Sequence, residues 1–314
     1  MNLSRRSLLA AGVTVPVAAA LLGGTASTAD AATARSFGVA LPDVPGTMAP
    51  LEALSAQLGR RPDRVMWYVA WSLQSDFPAQ QATAVATFGA TPVITWEPWD
   101  PAAGTGQPAY TLAAIAGGAH DTYLTRWARQ AKSYGRPVVL RLAHEMNGGW
   151  YPWAASTNGN TARDHVAAWQ HVVSVFRKQK ATNVRWQWVP NVPYDGSTDL
   201  AALYPGDGYV DEVGLDGYNW AGSQPGTSWV RFGDLFAVGA AQVRALTAKP
   251  LYVVETATPE EPGKYSWVTD MFDTLKSTTT FAGVTWFSYA KEMDWRIDSS
   301  PESLAAFHDG LVGY

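Results

Sequence analysis

The stretch Tyr123-Leu124-Thr125-Arg126-Trp127-Ala128-Arg129-Gln130-Ala131-Lys132-Ser133-Tyr134-Gly135-Arg136-Pro137-Val138-Val139-Leu140-Arg141-Leu142-Ala143 changes character halfway along. In its first half Tyr123, Leu124, Trp127, Ala128 and Ala131 recur at three and four residues, the stripe of a helix with one buried face, and Gly135 supplies a stop. From Val138 to Ala143 a near-continuous apolar run takes over, as expected of a strand covered on both faces. A second helical stripe follows at Val166, Trp169, Val173 and Phe176. Helix, buried strand, helix is the unit of a parallel α/β fold.

The same alternation extends in both directions. Short runs occur at Phe37–Leu41, Val65–Trp71, Pro92–Trp96, Val138–Ala143, Val184–Val189, Val213–Leu215, Leu251–Val254 and Gly283–Ser288. Ser300-Pro301 offers a cap and a first-turn proline for a last helix through Leu311. Eight such runs separated by helical segments predict a single (β/α)₈ barrel. A doubly wound open sheet would place a Gly-rich phosphate loop after the first strand; Pro42-Asp43-Val44-Pro45-Gly46 stands there instead. No linker, repeat or low-complexity tract divides the chain.

Residues 1–31 are set apart from the barrel, expected over 32–314. Ser4-Arg5-Arg6-Ser7-Leu8-Leu9, an apolar stretch through Leu22 and Ala29-Asp30-Ala31 resemble a twin-arginine export signal. A secreted protein is expected, with no membrane association once the signal is removed, because the run is too short and Gly/Ala-rich to span a bilayer. There is no Cys among 314 residues, so no disulfide supports the exported fold. A formal charge of −4 provides no basic field for a nucleic-acid backbone. Fifteen Trp, by contrast, supply flat apolar platforms with a polar edge, which suit sugar rings.

In such a barrel the active site sits at the C-terminal strand ends. The acids there are Glu97, Glu145, Asp216 and Glu255, with Glu292 a little beyond strand eight. Each is costly to desolvate and needs a partner or a task. Two carboxyl groups flanking a bond are what glycosidic cleavage requires, and position alone leaves open which two.

Leu142-Ala143-His144-Glu145-Met146-Asn147-Gly148-Gly149-Trp150-Tyr151-Pro152-Trp153 resembles the acid/base signature of glycoside hydrolase family 26. The likeness continues in Ile94-Thr95-Trp96-Glu97-Pro98-Trp99, Asp216-Gly217-Tyr218-Asn219-Trp220 and Asp294-Trp295-Arg296-Ile297-Asp298-Ser299-Ser300-Pro301-Glu302. The resemblance implies a retaining hydrolase, with Glu145 as proton donor and base at strand four and Glu255 as nucleophile at strand seven. It implies that Tyr218 donates a hydrogen bond to the nucleophile, that His144 supports the centre, and that Trp150 and Trp286 wall the sugar site. Trp96, Trp99, Tyr151, Trp153 and Trp220 are expected in outer subsites or in packing, and Glu97 and Asp216 on sugar hydroxyls. A polysaccharide is the implied partner. No cofactor and no metal are implied, because acid/base and nucleophile are both side chains.

Within the family, one branch cuts mixed-linkage β-1,3-1,4-glucan, and the best-known activity is on β-1,4-mannan. Mannan-cutting members usually place a His after strand three, where this chain has Trp96-Glu97-Pro98, which weakens the mannanase reading and leaves β-1,3-1,4-glucan slightly ahead. The segments Ser288-Tyr289-Ala290-Lys291 and Pro190-Asn191-Val192-Pro193-Tyr194 depart from the glucan-cutting branch, so β-mannanase and β-1,3-xylanase remain alternatives. A non-catalytic carbohydrate-binding barrel is the reading from outside enzymology. Metal hydrolysis fails on His-Glu-x-x-His, since Gly148 occupies the second His position, and no Gly-x-Ser-x-Gly elbow exists for serine chemistry.

Overall fold

Eight parallel strands close on themselves in chain order: β1 (Ser36–Ala40), β2 (Arg64–Ala70), β3 (Thr91–Glu97), β4 (Val138–Leu142), β5 (Val184–Trp188), β6 (Glu212–Tyr218), β7 (Leu251–Ala257) and β8 (Gly283–Phe287). The computed structural model describes residues 35–314, which form one compact unit. The expected export signal and its boundary lie outside the described residues. Between the strands run α1 (Ala49–Leu58), α2 (Ala79–Phe88), α3 (Leu112–Ala116), α4 (Asp121–Tyr134), α5 (Ala162–Gln179), α6 (Leu200–Leu203), α7 (Phe232–Leu246) and α8 (Lys264–Ser277), with α9 (Pro301–Leu311) closing the chain. The (β/α)₈ barrel expected from the apolar runs is therefore the fold.

Local chemistry sets the helix limits. Gly135 ends α4 in the left-handed conformation at φ 72°. Thr161 and Asp164 form a capping box at the start of α5, and the Ser300 hydroxyl accepts from the Ser303 amide ahead of Pro301. Among the described residues no helix is long and apolar enough to cross a membrane.

Two cores result. Between barrel and helices lies an aromatic layer that includes Trp127, Trp169, Trp267, Trp286 and Phe307, all essentially without exposure. The barrel interior instead carries charge. At its floor Arg64 Nη2 donates to Glu212 Oε2 at 2.6 Å, and Gln187 Nε2 donates to the same oxygen at 3.0 Å. Gly38 leaves space for that arginine, since a Cβ there would stand 3.1 Å from Arg64 Cβ and 2.6 Å from Thr285 Oγ1. Higher up, Arg141 bridges Asp216 and Glu255. Isolated charges could not be carried there, so each arginine faces an acid.

Irregular pairing shapes the upper rim. The register of β6 against β7 shifts between Leu215 and Asp216, leaving Asp216 opposite Glu255. The register of β7 against β8 shifts between Val253 and Thr256. Such bulges re-aim side chains beside functional sites.

Candidate active site

Glu145 leaves β4 through a strained turn. Ala143 and Glu145 hold φ of 46° and 53°, a region that costs a non-glycine residue about 1–3 kcal/mol. Backbone and side chains hold the turn in place: Glu145 N donates to Val189 O at 2.8 Å, and Trp153 Nε1 donates to His144 O at 2.6 Å. The carboxyl then receives two donors, Asn191 Nδ2 on Oε1 at 3.0 Å and Trp150 Nε1 on Oε2 at 2.6 Å. Asn191 is itself fixed by Asn147, whose side chain bonds both its backbone N and its O at 2.9 Å.

Trp150 reaches back to Glu145 because Gly148 has no side chain. A Cβ at Gly148 would lie 2.6 Å from the indole ring. Burial raises the Glu145 pKa from 4.5 to about 7, and the neighbouring charge of Glu255 adds to the rise; Asn191, Arg141 and Trp150 oppose it. Near neutral pH this carboxyl can hold and release a proton.

Glu255 stands in the same cleft in a different setting. Tyr68 Oη donates to its Oε1 at 2.8 Å, Tyr218 Oη donates to its Oε2 at 2.6 Å, and Arg141 Nη1 also donates to Oε1. Three donors facing one carboxyl suit an anion. Both phenols are pushed well above their usual pKa, by burial first and by Glu255 second, so they remain protonated donors.

Around this pair opens a cleft of about 1030 Å³, at the upper end of the usual size for ligand sites. Trp99, Trp150, Tyr151, Tyr194, Trp220 and Trp295 line it. Trp150 and Tyr194 are 43% and 45% exposed and stack at 5.9 Å, forming an uncovered aromatic face beside Glu145. Glu97 lines the cleft too, accepting from Trp99 Nε1 at 3.2 Å, with a pKa raised to about 7 by burial against the opposing pull of Trp99 and Arg141. Glu292 reaches the rim paired with Lys291 at 2.9 Å.

Three expectations need correction, those for Trp96, Trp286 and Asp216, and Trp153 takes the packing role of its two alternatives. Trp96 does not face the cleft: Thr95 and Glu97 point into the barrel, so Trp96 points out, stacked on Trp127 at 4.6 Å. Trp286 likewise lies outside the barrel wall, against Phe307 at 4.7 Å, with its Nε1 on Trp295 O. Trp153 is fully buried beneath Tyr151, whose ring it stacks on at 4.3 Å. Asp216 has no exposure and is bound to Arg141, so it cannot reach a sugar hydroxyl. His144 is also buried; its Nε2 lies 3.2 Å from Tyr151 Oη, and burial lowers its pKa well below 6.5, which makes it a neutral support for Tyr151.

Four functional residues went unnoticed in the sequence. Arg141 and Tyr68 sit inside apolar runs, Asn191 lies in a loop noted only for departing from the glucan-cutting branch, and Asn147 is part of the signature segment. A charged residue within a strand buried on both faces is a usable signal, since it must meet an acid inside the barrel. Among the described residues no group of three His, Asp or Glu is arranged to hold a metal ion.

Comparison with known proteins places this site in a family. Residues 106–255, which carry both glutamates, match the family model described as Glycosyl hydrolase family 26. Endoglucanase H of Acetivibrio thermocellus is 38% identical over 259 residues, covering 81% of this chain and 28% of that protein. Mannan endo-1,4-beta-mannosidase A and B of Caldalkalibacillus mannanilyticus is 34% identical over 95 residues, covering 29% of this chain and 18% of that protein. The chain thus spans well under a third of the length of these curated relatives. In fold it resembles the catalytic domain of a GH26 endo-beta-1,4-mannanase from Bacillus sp. JAMB-750, with TM-score 0.69, 20% identity, and 88% and 85% of the two chains covered. With the closed barrel, the matched segment and these relatives taken together, the chain belongs to glycosyl hydrolase family 26.

Proposed function

We propose that this protein is a retaining endo-β-glycanase. The observation that carries the reading is the unequal setting of two carboxyl groups in one cleft: Glu145 titrates near neutrality and Glu255 is met by three donors. Glu145 gives its proton to the departing glycosidic oxygen while Glu255 attacks the anomeric carbon and forms a glycosyl ester. Glu145, now a carboxylate, takes a proton from water as that water displaces Glu255. Tyr68, Tyr218 and Arg141 orient the nucleophile, and Asn191 and Trp150 orient the acid. An open, aromatic-lined cleft favours attack within a chain over trimming at its end.

Mixed-linkage β-1,3-1,4-glucan is the substrate we put first. The long alignment to an endoglucanase and the lack of a histidine in Trp96-Glu97-Pro98 after strand three both favour it. β-1,4-Mannan is supported by shorter alignments to mannosidases and stands second. We also propose that the protein is exported, on the strength of the Arg5-Arg6 segment.

A panel of barley β-glucan, galactomannan and β-1,3-xylan, with product anomers followed by NMR, tests the reading. The expected result is fastest release from β-glucan with β-anomers formed first. Early α-anomers would mean inversion and end the retaining mechanism. Calorimetric binding without new reducing ends would instead mark a non-catalytic sugar-binding barrel.

A further inference from the structure

Asp216 is a buried acid that no step of the proposed reaction uses. It is fully enclosed, lies opposite Glu255 through the β6–β7 register shift, and pairs with Arg141 Nη2 while Glu255 takes Nη1. The pairing is incomplete: Asp216 Oδ1 and Arg141 Nε are buried and find no hydrogen-bond partner. A bridge serving only the fold would be expected to satisfy these atoms, since a half-satisfied buried network costs more than an apolar one.

The consequence follows from counting charge through the reaction. In the resting site Glu145 is protonated and Arg141 is a cation paired with both Glu255 and Asp216; burial pushes the Asp216 pKa up, and Arg141 pulls it back down. Glu255 then forms a bond to the anomeric carbon, the leaving C–O bond breaks, and the leaving oxygen takes the proton of Glu145. The negative charge has moved from Glu255 to Glu145, and the net charge of the site is unchanged. Arg141 has lost one of its two acids at that moment.

We propose that Asp216 is a positioning residue that retains Arg141 when Glu255 is esterified, keeping the arginine's charge from being spent on Glu145 and so keeping Glu145 basic enough for the second step. This rests on the reading of Glu145 and Glu255 given above. Without the Asp216 carboxylate, Arg141 would be paired by Glu255 alone at rest and by nothing in the ester form. In both states Glu145 would face an under-compensated cation and give up its proton more readily. The other titratable or charged groups facing this centre are Tyr68 from β2, Glu97 from β3, His144 and Tyr151 beside Glu145, Tyr194 after β5, Tyr218 from β6, and Tyr289 and Lys291 after β8. None of them contacts Arg141 as Asp216 and Glu255 do.

The test compares two pH profiles for the full chain and its Asp216→Asn variant, which preserves the side chain's shape. That of kcat/KM reads Glu145 in the resting site, and that of kcat on an activated aryl glycoside whose ester breakdown limits turnover reads Glu145 as the base. The basic limb of the first is expected to move down by about one pH unit, the effect of one uncompensated neighbouring charge. The acidic limb of the second should move down as well. Asp216→Ser serves as a second variant if the amide does not fold, with each limb expected to move the same way. A limb that stays in place while the rate falls equally at every pH would overturn the proposal and leave Asp216 a structural residue; so would an upward shift. A parent protein that releases no sugar, or inverts, sinks the glycosidase reading itself.

Discussion

Trp150 Nε1 donates to Glu145 Oε2 at 2.6 Å, and the indole that lines the cleft is thereby also the residue that orients the titrating carboxyl. Sugar platform and acid are mechanically one piece, held together by the missing side chain at Gly148. Gly148→Ala should push the ring away. The expected outcome is a fall in kcat/KM on oligosaccharides of about tenfold, the worth of one hydrogen bond to an ionisable group. Aryl glycosides with good leaving groups should lose less, and steady-state kinetics on both substrate types reads the difference.

The pH dependence has a definite sign. Glu145 must carry a proton for the first step, and its pKa is raised from 4.5 to about 7. As pH climbs through 7 the protonated fraction falls, so kcat/KM should decline on the alkaline side. Glu97 also titrates at about 7, and Glu97→Gln separates the two: the limb should remain if Glu145 is responsible. Glu145→Ala should keep more activity on aryl glycosides and regain turnover with azide, whereas Glu255→Ala should lose activity on every substrate.

Tyr68 and Tyr218 approach different oxygens of Glu255. Tyr68→Phe and Tyr218→Phe should each lower kcat by about 10- to 100-fold, since each removes a donor to a charged group without creating a large void. Circular dichroism and melting curves should show both variants folded.

His165 on α5 is buried, both ring nitrogens lack partners, and burial lowers its pKa from 6.5 to about 3. Its unfolded form therefore binds a proton below pH 6.5 that the folded form refuses. This lowers stability as pH falls, by about 2 kcal/mol at pH 5. His165→Leu should raise Tm at neutral pH by a few degrees and flatten the loss of Tm between pH 6.5 and 4. A scanning-calorimetry series across that range decides it, and an unchanged slope would count against a neutral His165.

The fold was legible because strand and helix periods alternate eight times, and the runs at Val138–Ala143 and Gly283–Ser288 differ from β4 and β8 only by an end residue. The site was legible as far as its carboxylates. What stayed hidden was which way each strand residue points. A strand apolar on both faces carries no alternation to read, so Trp96 and Trp286 looked like candidates for the cleft although they face the helices. Arg141 was masked by the apolar neighbours on either side of it. Asn191 depends on a loop-to-loop contact with Asn147, a pairing that no local pattern announces.

Three ion pairs cross the barrel from its first half to its second. Their cations, Arg64 and Arg141, come from β2 and β4, and their anions, Glu212, Asp216 and Glu255, from β6 and β7. Arg141 and Asp216 in particular have their charged partners only in the opposite half, whereas Glu212 is also reached by Arg185 of β5 at 3.2 Å. A chain cut in the turn between α5 and β5 would leave Arg141 on one fragment and both of its acids on the other, an electrostatic reason for the two to find one another.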